Sequence, residues 1–201
     1  MQGKIVVITG GFGALGRAAA KVAQEQGAHP ILIDHAPAPP EFAGNASAFG
    51  AVDLTRADAA DTVMQKARAA AGRIDALLNI AGGFTWQTLA DGGGDVWDAM
   101  YAINTKTAVN ASRAALPHLI ETKGAIVNVG ANGALKAAAG FGAYAASKEG
   151  VHKLTESLAE EMKGKVRVNA VLPSVLDTAR NRQDMPKADF GAWVQPEDLA
   201  R

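Results

Sequence analysis

Tyr144 and Lys148 close the run Tyr-Ala-Ala-Ser-Lys. On a helix, residues four apart lie on one face, so both side chains can point into one cleft. An ammonium beside a phenol favours the phenolate, and the Tyr144 pKa is expected below its free value of about 10. A phenol tuned in this way can donate a proton to a group that receives hydride. A surface Tyr–Lys pair at helical spacing has the same pattern, so the pair needs company before it counts as a site.

That company begins at the N-terminus with Val-Val-Ile-Thr-Gly-Gly-Phe-Gly-Ala-Leu-Gly-Arg. A short apolar run enters a glycine-rich turn at Gly10, Gly13 and Gly16, and a helical pattern follows. Glycines let the backbone approach a pyrophosphate, and the helix start supplies amide N–H groups and positive dipole. Phe12 and Leu15 lie in the same turn and join the expected cofactor contacts. Asp34 comes eighteen residues after Gly16, at the end of the second apolar run. A carboxylate there accepts from adenosine ribose hydroxyls and repels a 2′-phosphate. Gly13, not a basic residue, stands where a phosphate-seeking side chain could sit. NAD(H) is therefore expected ahead of NADP(H). Lys148 can reach the nicotinamide ribose, so one residue would position the cofactor and tune the acid.

The elements needed to hold these residues are legible as alternating strands and helices. Strands are expected at Ile5–Ile8, from Pro30 through Ile31–Ile33, and at Ala48–Val52, Ala76–Ile80, Ala125–Val129 and Val166–Leu172. Helices are expected at Ala14–Gln26, at Arg56–Ala71 with Thr55 as cap, at about Val96–Glu121, and at Tyr144–Lys163. Gly27 and Gly72 suit helix C-caps, His35–Ser47 reads as a surface loop, and Gly82–Gly94 as a glycine-rich loop. This order predicts an α/β domain with a doubly wound parallel sheet and right-handed crossovers. The chain has 201 residues, 20 basic against 20 acidic, and no cysteine. Bulk charge draws in neither nucleic acid nor an anionic membrane. No thiolate nucleophile or disulfide is available, and the redox compartment stays open. The N-terminal apolar run is too short for a signal peptide or a membrane span, so a cytoplasmic protein is expected. His29, His35, His118 and His152 lack ligand spacing and are expected to be surface or structural, with no metal site. Trp86 and Trp97 either line a substrate cleft or pack its loop.

In sum these motifs resemble the short-chain dehydrogenase/reductase family along nearly the whole chain. Thr9-Gly10 to Gly16 is similar to its Thr-Gly-x-x-x-Gly-x-Gly loop, with Ala14 at the middle glycine. Asp53-Leu54 resembles the pair that contacts adenine, and Asn79-Ile80-Ala81-Gly82 resembles Asn-Asn-Ala-Gly beside the cofactor. Asn104 sits where the family's helix asparagine stabilises the sheet and a catalytic water. Tyr144 and Lys148 match the catalytic pair. Pro173 to Thr178 is similar to Pro-Gly-x-x-x-Thr at the nicotinamide amide, with Ser174 for the glycine and Val175 in the same contact. The resemblance implies a Rossmann-type sheet of order 3-2-1-4-5-6, one domain over 1–201, and residues 173–195 as a substrate-side lid. It implies a homodimer or homotetramer through the two long helices. It also implies a seventh strand past Arg201, so that within this chain the sixth strand is expected at an open edge, an aggregation risk.

A narrower resemblance is to the quinonoid dihydropteridine reductase branch. Ala81-Gly-Gly-Phe84 is similar to its Ala-Gly-Gly-Trp. Leu176-Asp-Thr, Asn181-Arg182, Met185-Pro186, Ala188-Asp189-Phe190 and Trp193 resemble its tail. Thirteen residues before Tyr144 the family usually has serine, and this chain has Ala131 followed by Asn132. A methyl cannot orient a carbonyl. Three readings follow: a cofactor-binding regulator without turnover, a carbonyl or alcohol oxidoreductase in which Asn132 replaces the serine, or a reductase of an acceptor already electrophilic. A quinonoid dihydropterin fits the third, because reduction restores aromaticity in its pyrimidine ring. Phe84, Ala131, Asn132 and Trp193 are the expected substrate contacts.

Overall fold

The computed structural model describes residues 1–42, 44–45 and 47–201. The loop expected at 35–47 contains Ala43 and Ala46, which lie outside the described residues. β1 (Ile5–Thr9) is buried at every position, as a strand covered on both faces must be. It feeds α1 (Ala14–Glu25), after which come β2 (His29–Ile33), β3 (Ala48–Phe49), α2 (Ala57–Ala71) and β4 (Ala76–Asn79). The second half holds α3 (Gly94–Met100), α4 (Thr107–Thr122), β5 (Ala125–Val129), α5 (Asn132–Leu135), α6 (Gly142–Glu161), β6 (Arg167–Val171), α7 (Ala179–Asp184) and α8 (Pro196–Leu199).

All pairings are parallel, and the order is β3-β2-β1-β4-β5-β6, as expected. Side chains alternate along β1 and sort into two cores. Ile5 and Val7 join Ile31, Ile33, Leu77 and Ile126 under Met64 of α2 and Leu119 of α4. Val6 and Ile8 face the other way, against Leu32 and the Ala19, Ala20 and Ala23 methyls of α1. Small side chains let α1 lie close to the sheet, and Gly16 brings its first turn onto the loop. A Cβ there would fall 2.8 Å from Gly11 Cα.

Several local expectations differ from what folds. The third strand has two residues, not five: Ala48 and Phe49 pair with Leu32 and Ile33, and Val52 N–H reaches only the Asp34 carbonyl beyond the end of β2. Thr55 does not cap α2; its hydroxyl donates to Asp53 Oδ1 at 2.6 Å, and Arg56 occupies the cap position. The long helix of 96–121 starts at Gly94 and is interrupted by a π-helical turn over Tyr101–Lys106. Short helices α5, α7 and α8 form in segments too brief to show periodicity. β6 ends the sheet within this chain.

Candidate active site

The carboxyl ends of β1, β4, β5 and β6 meet at one edge of the parallel sheet, where such folds bind ligands. Gly10, at φ +66°, turns the chain out of β1, and a Cβ there would lie 2.9 Å from Ala81 N. Thr9 locks the junction: its Oγ1 accepts from Ile80 N–H at 3.1 Å and from Ala81 N–H at 3.2 Å. The glycine turn, Ala81 and Gly82 are thereby held together. α1 follows Gly13 at its N-cap, with no side-chain cap and no acidic residue in its first turn. Its leading amides are available to an anion, so the turn fits a pyrophosphate. Leu15 is buried behind it.

Asp34 stands at the end of β2. One carboxylate oxygen accepts from Phe12 N–H at 2.9 Å and the other from Ala36 N–H at 2.9 Å. A carboxylate has about four acceptor sites, so each oxygen retains capacity for a ribose hydroxyl. The Phe12 ring stacks on Phe42 at 5.5 Å, and Arg17 lies over Phe42 while bonding Glu41 at 2.8 Å. Asp53 accepts twice from Thr55, whose hydroxyl, more than any other group, holds the carboxyl below its ordinary range. The Leu54 side chain is buried in the core, and its carbonyl accepts from Asn110 Nδ2 at 2.9 Å.

Asn79 does not bring its side chain to the cleft. Its Nδ2 donates inward to Ser112 Oγ at 2.9 Å and to Asn128 Oδ1 at 2.8 Å, and Asn128 continues to Thr155 Oγ1 at 2.8 Å. This buried chain ties β4, β5, α4 and α6 behind the site. Asn104 is 1% exposed in the π-helical turn, a feature common at functional sites. Its Nδ2 donates to Gly83 O and to Ser147 Oγ, both at 3.0 Å, and its Oδ1 accepts from Gly83 N–H at 3.0 Å. Ser147 Oγ in turn donates to the Tyr144 carbonyl at 2.7 Å. Asn104 thus connects the glycine loop after β4 to α6. Ser147 was not singled out from the sequence, although it sits three residues after Tyr144, within reach on a helix.

Tyr144 and Lys148 share a face of α6 as expected. Their electrostatics differ from the expectation. Lys148 Nζ donates to Val129 O at 2.8 Å instead of turning to the phenol. Burial pushes the Lys148 ammonium down to about 8 and pushes the Tyr144 phenol up from its ordinary value. Desolvation outweighs the neighbouring charge here, with Lys148 buried and Tyr144 half-buried. Phe84 meets the Tyr144 ring edge-on at 4.9 Å, and Phe141 packs on Phe84 at 5.0 Å. Phe141 was missed because it lies in an Ala/Gly-rich stretch without periodicity.

Ala131 is 4% exposed and extended at the N-cap of α5, whereas Asn132 is exposed and its side chain makes no hydrogen bond among the described residues. The Asn132 N–H donates to Pro173 O at 3.0 Å, joining this wall to the tail. Val194 N–H donates to Val175 O at 2.9 Å and Val194 O accepts from Asp177 N–H at 2.8 Å, a strand-like bridge. Thr178 Oγ1 accepts from Asn181 N–H at 3.1 Å as the cap of α7, and its own proton has no acceptor among the described residues. Trp193 packs on Phe190 at 4.8 Å, and Phe190 lies under the Arg182 guanidinium at 4.7 Å. Arg182, with Gln195, also holds Asp177 well below the ordinary carboxylate range. Trp193 is thus engaged with its own segment. Trp86 also serves a loop, donating from Nε1 to Ala139 O at 3.0 Å, while Trp97 and Tyr101 line a separate hollow beside α6.

Known proteins carry the same plan. The computed structure superposes on an aldohexose dehydrogenase of Thermoplasma acidophilum with a TM-score of 0.87 at 24% identity, covering 99% of this chain and 84% of that one. A 3-ketoacyl-(acyl-carrier-protein) reductase of Brucella melitensis, solved with NADH, superposes at 0.84 with 26% identity, covering 99% and 88%. In sequence, a short chain dehydrogenase of Rhodocybe pseudopiperita is 35% identical over 97% of this chain and 79% of its own length. A 2-(S)-hydroxypropyl-CoM dehydrogenase of Xanthobacter autotrophicus is 32% identical over 100% of this chain and 82% of its own. The short chain dehydrogenase family pattern matches residues 4–189, from the first strand through the tail helix. With fold, cofactor-side turn and Tyr–Lys pair in that order along one chain, this protein belongs to the short-chain dehydrogenase/reductase family of oxidoreductases, whose members bind NAD(H) or NADP(H).

Proposed function

We propose that the protein uses NADH to reduce a flat, electron-poor heterocycle of the quinonoid dihydropterin type. The observation that carries this reading is Ala131: a buried methyl stands at the end of β5, the strand that Lys148 reaches through Val129 O, while the Tyr144–Lys148 pair is intact. With no hydroxyl to polarise a carbonyl, the site suits an acceptor that needs little polarisation. The Phe84, Phe141 and Tyr144 rings add aromatic surface for a planar ring system. The tail from Leu176 to Trp193 supports the same branch.

Asp34 favours NADH over NADPH, since a 2′-phosphate would meet a carboxylate already fixed by two backbone bonds. The α1 amides hold the pyrophosphate. Lys148 has three protons and gives one to Val129, so two remain for ribose hydroxyls. Bound NADH supplies the hydride. Tyr144 gives the accompanying proton to a ring nitrogen of the acceptor, which gains one hydride and one proton, that is two electrons and two protons in all. A raised phenol pKa keeps that proton in place at neutral pH, ready for transfer.

A second reading is favoured by Asn132, whose amide is free to donate to a substrate carbonyl. The test is NADH oxidation with quinonoid dihydropterin set against a panel of ketones, with Tyr144→Phe as control. Pterin turnover that the variant loses by at least about a hundredfold supports the first reading. Ketone turnover alone supports the second. Tight NADH binding without turnover of either makes the protein a regulator. We further propose a homodimer or homotetramer through α4 and α6; Val109 and Ile120 leave apolar surface exposed on α4.

A further inference from the structure

α6 carries Tyr144, Lys148 and His152 at four-residue intervals, which makes one stripe of one helix. Tyr144 meets the aromatic wall. The other two reach back to the segment that follows β5. Lys148 Nζ donates to Val129 O at 2.8 Å, and His152 Nε2 accepts from Ala131 N–H at 3.2 Å. Between them, Gly130 N–H donates to Val171 O at 2.9 Å, and beyond them Asn132 N–H donates to Pro173 O at 3.0 Å. The Gly130 and Asn132 amides thus face β6 and its continuation. In a parallel ladder successive N–H groups face opposite neighbours, so the Ala131 amide faces the β4 side. β4 ends at Asn79, opposite Asn128, and among the described residues no strand is there to receive it. Ala131 is 4% exposed and His152 7%, so without the imidazole this amide would be buried and unpaired.

The ring is itself held. A nitrogen that accepts an N–H carries no proton, so the His152 proton is on Nδ1, 2.8 Å from Glu149 Oε2. Glu149 is partly exposed and also lies 3.8 Å from Lys153 Nζ. The ring lies tight on the backbone, since a Cβ at Gly130 would fall 2.6 Å from His152 Cδ2.

We propose that His152, oriented by Glu149, is a positioning residue for the reaction at Tyr144. It pins residues 130–132 to the helix that bears the proton donor, and so fixes the gap between the phenol and the Ala131–Asn132 wall. The role rests on Tyr144 being that donor. Full-length His152→Leu, His152→Gln and Glu149→Ala chains separate the possibilities. Glutamine can place an acceptor oxygen near the Nε2 position, and leucine cannot. The readouts are exchange of the Ala131 amide by NMR, NADH affinity, and kcat and KM for the acceptor. In His152→Leu, Ala131 exchange should quicken and kcat/KM for the acceptor fall by about tenfold, with NADH affinity held within about twofold. His152→Gln should recover most of both. Glu149→Ala, changed outside the core, should lose about threefold and shift the His152 ring nitrogen signals. Unchanged Ala131 exchange in His152→Leu overturns the pinning. Equal impairment in the Leu and Gln chains reduces His152 to packing. An unmodified chain without turnover removes the Tyr144 reading, and the positioning role with it, whatever the exchange data show.

Discussion

Replacing Lys148 by Met tests the most unusual charge in the structure. The ammonium is 6% exposed, and burial depresses its pKa from 10.5 to about 8. Below about pH 8 the lysine is charged in both folded and unfolded chains, and the folded state bears the whole desolvation cost. Between about 8 and 10.5 the unfolded chain holds the proton more firmly, so stability rises with pH. At about 1.4 kcal/mol per pKa unit the full interval is worth about 3 kcal/mol. Roughly two-thirds of it, about 2 kcal/mol, falls between pH 7 and about 9.5. Tyr144 sets that upper limit. Its folded pKa is raised, so the stability it contributes is intact below about 10 and is lost as pH climbs past that value. Urea unfolding of the unmodified chain and of Lys148→Met, at half-unit steps from pH 7 to about 9.5, isolates the lysine in the difference between the curves. The unmodified chain should gain about 2 kcal/mol on the variant across that range. A constant difference would show that the ammonium is as well solvated in the fold as outside it, and the argument from burial would fail. Activity should move the opposite way, with Lys148→Met losing turnover. In the unmodified chain, NADH affinity should weaken above about pH 8 as the ammonium is lost.

Three further outcomes are expected. Asp34→Ala should narrow the preference for NADH over NADPH by about tenfold or more, measured as Kd by cofactor fluorescence; equal affinity in the unmodified chain refutes the role given to the carboxylate. Ala131→Ser adds a hydroxyl at a buried wall and should yield ketone reduction absent from the unmodified chain; no gain in steady-state assays would mean that the pocket, not the hydroxyl, decides. Light scattering should report a dimer or tetramer, and a monomer at micromolar concentration would refute the pairing through α4 and α6.

The residues that sort this chain into its family are local in sequence. A glycine turn after a buried strand, an acidic residue past the next strand and a Tyr–Lys pair at helical spacing are each dictated by backbone sterics or helix geometry, and β5 forms over Ala125–Val129 as the pattern predicts. Alternation predicted a parallel sheet with crossovers of one hand, and its strand order came with the family resemblance. Other decisions depended on partners distant in sequence. Whether Lys148 points to the phenol or to Val129 O depends on where β5 ends relative to α6. The Asn79 side chain turns inward because Asn128 and Ser112 wait there, 49 and 33 residues away. The π-helical turn that seats Asn104 has no signature in composition. His152 is spaced to share the Tyr144–Lys148 stripe, but its task appeared only when α6 docked over the unpaired Ala131 amide. Helix periodicity assigns a face to each residue, and tertiary packing alone decides how far from water a charge must sit and therefore which way its pKa moves.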